Sequence, residues 1–126
     1  MDDISTLNTI TEKIIGCAIE VHKNLGPGLL ESIYETALCY ELKENDIKFE
    51  NQFRVPVIYK GQNLGEYRID LLIEHEIVVE IKAVNRIEPV FEVQIITYLK
   101  ITGKKLGLLI NFNVPVLKNG IKRIIL

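Results

Sequence analysis

The stretch from Asp70 to Lys82, which reads DLLIEHEIVVEIK, constrains the fold most because it sets isolated charges in a dense run of Leu, Ile and Val. Its interruption at Glu74-His75-Glu76 predicts two buried antiparallel strands joined by a three-residue hairpin loop. In that register positions 71–73 pair with positions 77–79, and Asp70 faces Glu80 directly. The stretch therefore predicts a hairpin that is apolar near its turn and carries two facing carboxylates at its open end.

The two faces of this hairpin differ in chemistry, since side chains alternate between faces along a strand. Glu80 and Lys82 project from a mixed face and lie about 6.6 Å apart along the strand. The opposite face is predicted to be continuously apolar and to form a layer of the core. Its members are Ile69, Leu71, Ile73, Ile77, Val79 and Ile81.

Asp70, Glu80 and Lys82 need an account, because buried ionised groups are costly unless they are paired or bound to a metal. Two facing carboxylates cannot comfortably both ionise without a cation between them. Carboxylate oxygens suit Mg²⁺ or Mn²⁺ as the cation. Lys82 would add positive charge where phosphoryl oxygens become more negative during the reaction. The alternative is a structural ion pair of Lys82 with Asp70 or Glu80 on an exposed sheet edge. The hairpin residues alone leave both interpretations open.

Length and composition favour one globular domain, since 48% of the 126 residues are hydrophobic and 25% are charged. No apolar run approaches the roughly 20 residues that cross a bilayer, and the first residues, MDDISTLNTI, are acidic rather than a basic leader. We therefore expect a cytoplasmic protein with no membrane span. Cys17 and Cys39 stand singly within helical patterns, so we expect buried thiols and neither a disulfide nor a zinc site.

Charge is distributed unevenly along the chain. All 17 acidic residues lie within residues 1–92, whereas the charged side chains of residues 93–126 are all basic. This asymmetry favours a polyanionic partner at that end of the molecule; the alternative is that the lysines solvate strand edges and helix ends. The basic residues are Lys100, Lys104, Lys105, Lys118, Lys122 and Arg123.

Periodicity and turn signals predict helices and strands along the chain. Pro89 and Gly103 bound the last helix, and Lys60-Gly-Gln-Asn-Leu-Gly65 predicts a turn. The predicted order is helix 4–24, helix 29–45, strand 47–59, strand 65–73, strand 76–83, helix 89–102, strand 105–112 and strand 120–126. This order indicates one mixed sheet with helices packed on it, an α/β or α+β sandwich.

The order of motifs resembles a known superfamily. Asp70, a hairpin's length of apolar residues and then Glu80-Ile81-Lys82 resemble the PD-(D/E)xK nucleases, although Ile69 stands where that motif has Pro. The segment Gly28-Leu-Leu-Glu31-Ser-Ile-Tyr34 resembles the signature of the small bacterial GxxExxY proteins, a branch of that superfamily. Further similar segments are YRIDLLIE, VVEIKAV, QIITYLKITGKKLGLLINFN and GIKRI. The resemblance covers the chain from about His22 to Arg123 and implies a restriction-endonuclease-like αβββαβ core with a mixed central sheet flanked by helices, so we expect one nuclease-like domain over residues 1–126.

The resemblance also implies roles for individual residues. Asp70, Glu80 and the backbone carbonyl of Ile81 would be metal ligands, and Lys82 would position the attacking water and stabilise the phosphorus centre. Glu31 resembles an acidic residue of the first core helix that assists the metal site or completes a second one. The alternative for Glu31 is a carboxylate stabilised by the helix dipole by about 0.3–1 kcal/mol.

Gln94 and Tyr98 lie one helical turn apart on one face of the third helix. The resemblance implies that such a Gln-xxx-Tyr helix borders the site, where an amide and a phenol bind a water or a phosphate. The alternative is that both pack with satisfied polar tips. Tyr34 is expected to be a core residue rather than a catalytic one.

These residues predict a Mg²⁺- or Mn²⁺-dependent nuclease that hydrolyses phosphodiester bonds of DNA or RNA. The competing interpretation is a catalytically silent module with a nuclease fold that binds nucleic acid or a protein partner. We expect no membrane partner. We also expect a homodimer, because so small a domain covers few base pairs and region 105–126 supplies potential edge strands.

Overall fold

The computed structural model describes residues 4–126, which form three α-helices, one 3₁₀ helix and five strands. In chain order they are α1 (Ile4–Leu25), α2 (Glu31–Glu44), β1 (Phe49–Tyr59), β2 (Gln62–Ile73), β3 (Ile77–Lys82), α3 (Pro89–Thr102), β4 (Leu106–Asn111), the 3₁₀ helix (Leu117–Gly120) and β5 (Ile121–Ile125). From α2 to β4 the order is αβββαβ, which confirms the predicted mixed α/β core.

The strands form one sheet in the order β1-β2-β3-β4-β5. β1, β2 and β3 are antiparallel neighbours, β3 and β4 are parallel, and β4 and β5 are antiparallel. The parallel pair needs a crossover connection, which α3 supplies between β3 and β4. The sheet is therefore mixed, as predicted, and β3 lies at its centre.

Two apolar clusters lie on the two faces of the sheet. In the first cluster, α1 and α2 pack on the sheet through residues such as Ile14 and Leu38. In the second cluster, α3 packs on the other face, where Ile95 lies with Val78. Gly107 permits the close approach of α3 to β4, because a Cβ atom there would lie 2.5 Å from Cγ2 of Ile95. Helices therefore cover both faces of the sheet.

The hairpin between β2 and β3 has the predicted register, with Leu71, Leu72 and Ile73 opposite positions 79, 78 and 77. Its three-residue loop closes through Glu74 and His75, whose φ angles of 53° and 59° are left-handed. The register prediction is confirmed as far as the pair of positions 71 and 79.

The turn before this hairpin is shorter than the predicted span of 60–65. Lys60 and Gly61 alone make the turn, and β2 begins at Gln62. Both turn residues have positive φ, 49° and 78°, which is the pattern of a two-residue type I′ hairpin turn. Such a turn matches the strand twist, so pairing continues to its edge and residues 62–64 join the strand.

The prediction that Ile69 shares a face with Leu71 is wrong. Ile69 packs in the second cluster with Val55, whereas Leu71 packs in the first. The described β1–β2 ladder has no pair between Gln52 and Asp70, and Gln52 has a left-handed φ of 53°. Because the regular pleat is interrupted there, residues on its two sides point to different faces of the sheet.

Tyr34 holds the turn between α1 and α2. Its side chain is fully buried and stacks on Phe112 with the ring centroids 4.6 Å apart. Its hydroxyl donates to the carbonyl oxygen of Gly26 at 2.6 Å and accepts from the N–H of Leu29 at 3.1 Å. The expected core position of Tyr34 is confirmed, and its polar tip fixes the turn that leads into Glu31.

The two cysteines differ in burial, although both were expected to be buried thiols. Cys17 is buried, whereas Cys39 is only partly buried, and both are free thiols. Burial raises the pKa of the Cys17 thiol and raises that of Cys39 to about 11.

Among the helices of residues 4–126, none combines the length and apolar character needed to cross a membrane.

Candidate active site

The carboxylates of Asp70 and Glu80 meet where β2 and β3 separate. Ladder pairing between these strands ends at Leu71 and Val79, while β3 continues beside β4. Beyond that point the N–H of Asp70 donates to Oε2 of Glu80 at 2.8 Å, and the N–H of Ile81 donates to Oδ2 of Asp70 at 2.8 Å. The two carboxylates are together as predicted, but each binds the backbone of the other strand instead of standing as a simple cross-strand pair.

Burial makes both carboxylates harder to ionise, and the charge of Asp70 adds to this effect at Glu80. Glu80 is 6% exposed, and desolvation together with the charge of Asp70 raises its pKa to about 8. Burial also raises the pKa of Asp70, against the opposing effect of the N–H of Ile81. Nearby, burial and then the charges of Glu80 and Asp70 raise the pKa of Tyr98 to about 12. The buried site therefore disfavours the ionised forms of these carboxyl groups.

Lys82 lies at the same end of β3, with its Nζ atom 4.5 Å from the centroid of the Phe91 ring. Its charge lowers the pKa of Asp70 and of Glu80. Within residues 4–126, however, it forms no ion pair with either carboxylate. A structural ion pair on an exposed edge does not describe this site, because Glu80 is buried and Lys82 packs on an aromatic ring.

Glu35 and Gln52 complete the site, and the sequence interpretation missed both. The amide Nε2 of Gln52 donates to both carboxylate oxygens of Glu35 at 3.0 Å and to Oδ1 of Asp70 at 3.4 Å. Burial, and to a lesser extent the charges of Asp70 and Glu31, raise the pKa of Glu35. Helical spacing could have found Glu35, which lies one turn after Glu31. Gln52 had no such signal, because its position depends on the interruption in β1.

The structure places two predicted site residues, Glu31 and Gln94, at exposed positions. Glu31 opens α2 directly after Leu30, and its described contact with the site is an electrostatic effect on Glu35. Gln94 lies on α3, where the other predicted member of that helix, Tyr98, is 6% exposed. Asp70, Glu80, Lys82 and Tyr98 are therefore brought together, and the roles of Glu31 and Gln94 stay predictions.

The buried side-chain amide of Asn111 holds the chain just after β3 ends at Lys82. Nδ2 of Asn111 donates to the carbonyl oxygen of Val84 at 2.9 Å, and its Oδ1 accepts from the N–H of Val84 at 3.0 Å. The N–H of Phe112 donates to the carbonyl oxygen of Lys82 at 2.9 Å. Because these bonds hold the backbone on both sides of position 83, they fix the backbone position from which the Lys82 side chain extends.

The basic residues of region 93–126 divide into two groups. Lys122 pairs with Glu92 at 2.8 Å, and Arg123 donates to the side-chain oxygen of Asn8. The other four form no ion pair within the described chain. They are Lys100, Lys104, Lys105 and Lys118. The structure thus assigns the first group to intramolecular contacts, and a polyanionic partner of the second group stays a prediction.

The donor set of the site fits a hard divalent cation. Asp70 and Glu80 each accept a backbone N–H with one carboxylate oxygen, and the second oxygen of Asp70 also accepts a longer bond of 3.4 Å from Gln52. Mg²⁺ commonly binds through one or two carboxylates and keeps several waters. No group of three or more His, Cys, Asp or Glu side chains in residues 4–126 is placed to hold a metal ion. The two carboxylates therefore suit a cation that keeps much of its hydration shell.

Comparison with known proteins identifies a superfamily. A family model described as the PD-(D/E)XK nuclease superfamily matches residues 8–124. No curated protein and no solved structure gave a significant match. The matched residues include α2, β1 to β4, α3 and most of β5, and so contain every element that contributes to the site.

Proposed function

Because the chain belongs to the PD-(D/E)XK nuclease superfamily, we propose that it is a metal-dependent nuclease with its site at Asp70, Glu80 and Lys82. The observation that carries this proposal is the pair of carboxylates held at the open end of the hairpin, with Lys82 close enough to lower the pKa of both. The proposed reaction is hydrolysis of a phosphodiester bond in DNA or RNA.

Asp70, Glu80 and the backbone carbonyl of Ile81 would hold Mg²⁺ or Mn²⁺. When bound, the ion supplies Lewis-acid stabilisation of negative charge on the phosphoryl oxygens. Two carboxylates of α2 could assist: Glu31, as the family signature implies, and Glu35, whose charge raises the pKa of Glu80. The cation would also relieve the repulsion between the two central carboxylates, which explains why the site tolerates them.

The other side chains would bind and orient the substrate. The ammonium group of Lys82 would stabilise charge on the phosphoryl oxygens, and its packing on Phe91 limits the positions it can take. Tyr98 is protonated at neutral pH, as a tyrosine ordinarily is, and its pKa is raised further to about 12, so its hydroxyl can donate to a phosphate or a water. Gln94 would supply an amide on the exposed side of the same helix.

The finer assignments are also part of the proposal. Gly28, Glu31 and Tyr34 support membership of the GxxExxY branch, because Tyr34 fixes the turn that positions Glu31. One domain over residues 1–126, a homodimer, a cytoplasmic location and the absence of a membrane partner stay predictions.

The test is cleavage of DNA and RNA panels by the purified protein with Mg²⁺ or Mn²⁺, and with a chelator. Cleavage should require the metal, and Glu80→Ala or Lys82→Ala should lower the rate by about 10²-fold or more. The matched control is Glu74→Gln, which changes a carboxylate in the loop at the opposite end of the hairpin. Metal-dependent cleavage that persists unchanged in both site variants would reject the assignment.

A second candidate function is a silent nuclease-fold module that binds nucleic acid or a protein partner. The observation that favours it is the group of four basic residues without an ion pair in the described chain, Lys100, Lys104, Lys105 and Lys118, which could bind a polyanion without a metal. Calorimetry with Mg²⁺ or Mn²⁺ separates the two candidates. Metal binding that is lost in Asp70→Asn supports the nuclease, whereas salt-sensitive nucleic-acid binding without metal binding supports the module.

A further inference from the structure

β1 and β2 extend past the rest of the sheet as a two-stranded ribbon, defined here as residues 54–68. In this part of the described sheet β2 pairs with β1 alone, because its pairing with β3 is confined to positions 71–73. The edge of β2 that would face β3 is therefore unpaired over the ribbon. This open edge continues directly from Asp70, so the ribbon borders the carboxylate site.

Tyr67 is the ribbon residue that reaches the site. Its ring lies 5.9 Å from the ring of Tyr98, with the two planes tilted by 58°. Tyr98 is 6% exposed and borders Glu80, whereas Tyr67 is 51% exposed. A tilted contact of this kind supports one side of the Tyr67 ring and leaves much of its surface open to solvent.

The surroundings of Tyr67 suit a nucleic-acid strand. Arg68 follows it, is exposed, and forms no ion pair within residues 4–126. Tyr67 precedes Asp70 by three positions, about 10 Å along an extended strand, which equals the rise of about three stacked nucleotides. A strand with one phosphate at the carboxylate site would thus bring a base about three nucleotides away to Tyr67, while Arg68, which lies on the opposite face of β2, adds positive charge to the ribbon.

We infer that Tyr67 forms a stacking subsite for an unpaired nucleobase, and that the substrate is nucleic acid with a single-stranded segment beside the cleaved bond. This inference rests on the proposed nuclease function and names the substrate class for it. An exposed aromatic ring stacks on any base, so the subsite reads strandedness rather than sequence. Bases inside a duplex are covered by their neighbours and cannot use the open face of Tyr67.

The absence of tryptophan from the chain permits a direct optical test. Tyr67→Trp places the only tryptophan of the variant at the subsite, where it can be excited selectively over the remaining tyrosines, and keeps an aromatic face. Its emission is measured during titration with single-stranded DNA, single-stranded RNA and a duplex of the same sequence. The titrations contain a chelator, so that binding is recorded without turnover.

The expected result is quenching by single strands and little quenching by the duplex. Tyr67→Ala should weaken single-strand binding about 5- to 100-fold, measured by anisotropy of a labelled strand, whereas Tyr67→Phe should stay within about twofold of the natural protein. The two single-stranded titrations show whether the subsite takes a DNA base, an RNA base or both.

The matched control is Tyr59, which is 57% exposed at the far end of the same ribbon and carries Lys60 over its ring. Tyr59→Ala should leave binding unchanged, and Tyr59→Trp should show little quenching. Thermal melting of Tyr67→Ala and Tyr67→Phe establishes that both variants are folded before binding is compared.

The outcomes separate this inference from the nuclease proposal. Tyr67-dependent binding of single strands without cleavage in Mg²⁺ supports the subsite and contradicts the nuclease. Unchanged single-strand binding in Tyr67→Ala, or equal quenching of Tyr67→Trp by duplex and single strand, overturns the subsite even if cleavage is observed.

Discussion

The two ends of the β2–β3 hairpin are built from the same strands but have opposite properties. At the turn end Ile73 and Ile77 are fully buried and paired in a regular ladder. At the open end Asp70 and Glu80 replace apolar residues, and carboxylate-to-backbone hydrogen bonds replace the ladder pair. The comparison indicates that one end contributes stability, while the other holds two carboxyl groups whose ionised forms are disfavoured by burial.

Support for the open end comes from outside the hairpin. Asn111 and Phe112 form hydrogen bonds with the backbone around the end of β3. The amide of Gln52 donates to the carboxylates of both Glu35 and Asp70. The open end therefore depends on contacts between distant segments, whereas the turn end depends on apolar burial and local pairing.

The largest effect on stability is expected at the turn end. Ile77→Ala should lower the free energy of unfolding by about 2–5 kcal/mol, because it removes fully buried methyl groups from the first cluster. Urea unfolding measures the loss. Cleavage by the molecules that remain folded should change little, because Asp70 and Glu80 are untouched.

The control for this prediction is Tyr40→Ala, which truncates a side chain that is 61% exposed and should change stability by less than about 0.5 kcal/mol. An Ile77→Ala protein as stable as this control would show that the turn end is not what holds the hairpin.

The next largest effect has the opposite sign and lies at the open end. Glu80 has a pKa of about 8 when folded and an ordinary value of 4.5, so the folded state holds a proton that the unfolded state releases. Stability therefore falls as the pH rises from about 4.5 to about 8, and the loss is complete above that range. Without metal, Glu80→Gln should raise the free energy of unfolding by roughly 2–4 kcal/mol at pH 9.

Urea unfolding at pH 5 and pH 9 in a chelator tests this expectation, with Glu74→Gln as the matched variant from the turn end. The stabilisation by Glu80→Gln should shrink toward pH 5, where the natural carboxyl is largely protonated when folded. Equal free energies of unfolding for the natural protein and Glu80→Gln at pH 9 would mean that the ionised carboxylate of Glu80 does not destabilise the folded state.

The smallest effect concerns the amide between the carboxylates. Gln52→Ala should lower the free energy of unfolding by about 1 kcal/mol or less, because Gln52 is exposed, and should raise the pKa of Glu35 further. Titration of Glu35 followed by NMR measures the second effect. Gln52→Gly is the control for the backbone, since glycine accepts the left-handed φ of 53° without strain. A pKa of Glu35 that is the same in all three proteins would contradict the proposed role of the amide.

The sequence predicted the fold well because its strongest signals are local. Alternation around Glu74-His75-Glu76 was sufficient for the register of β2 with β3, and Pro89 and Gly103 were sufficient for the bounds of α3. The errors lie where a local pattern is overridden. The interruption at Gln52 moved Ile69 to the second cluster, and the type I′ turn shortened the predicted loop.

The candidate site could be predicted only in part for the same reason. Asp70, Glu80 and Lys82 lie in one hairpin, so their proximity follows from strand pairing and alternation. Gln52 joins them through an irregular backbone, which no periodic pattern reveals.

By itself, the sequence determined the order of the elements, the hairpin register and the conflict between two buried carboxylates, because periodicity and residue chemistry act over a few positions. The tertiary structure alone decided which groups surround the two carboxylates. It directed each carboxylate to the backbone of the opposite strand, placed Lys82 over Phe91, and brought Glu35 and Gln52 beside Asp70. These contacts join segments far apart in the chain, so they exist only once the helices have packed on the sheet.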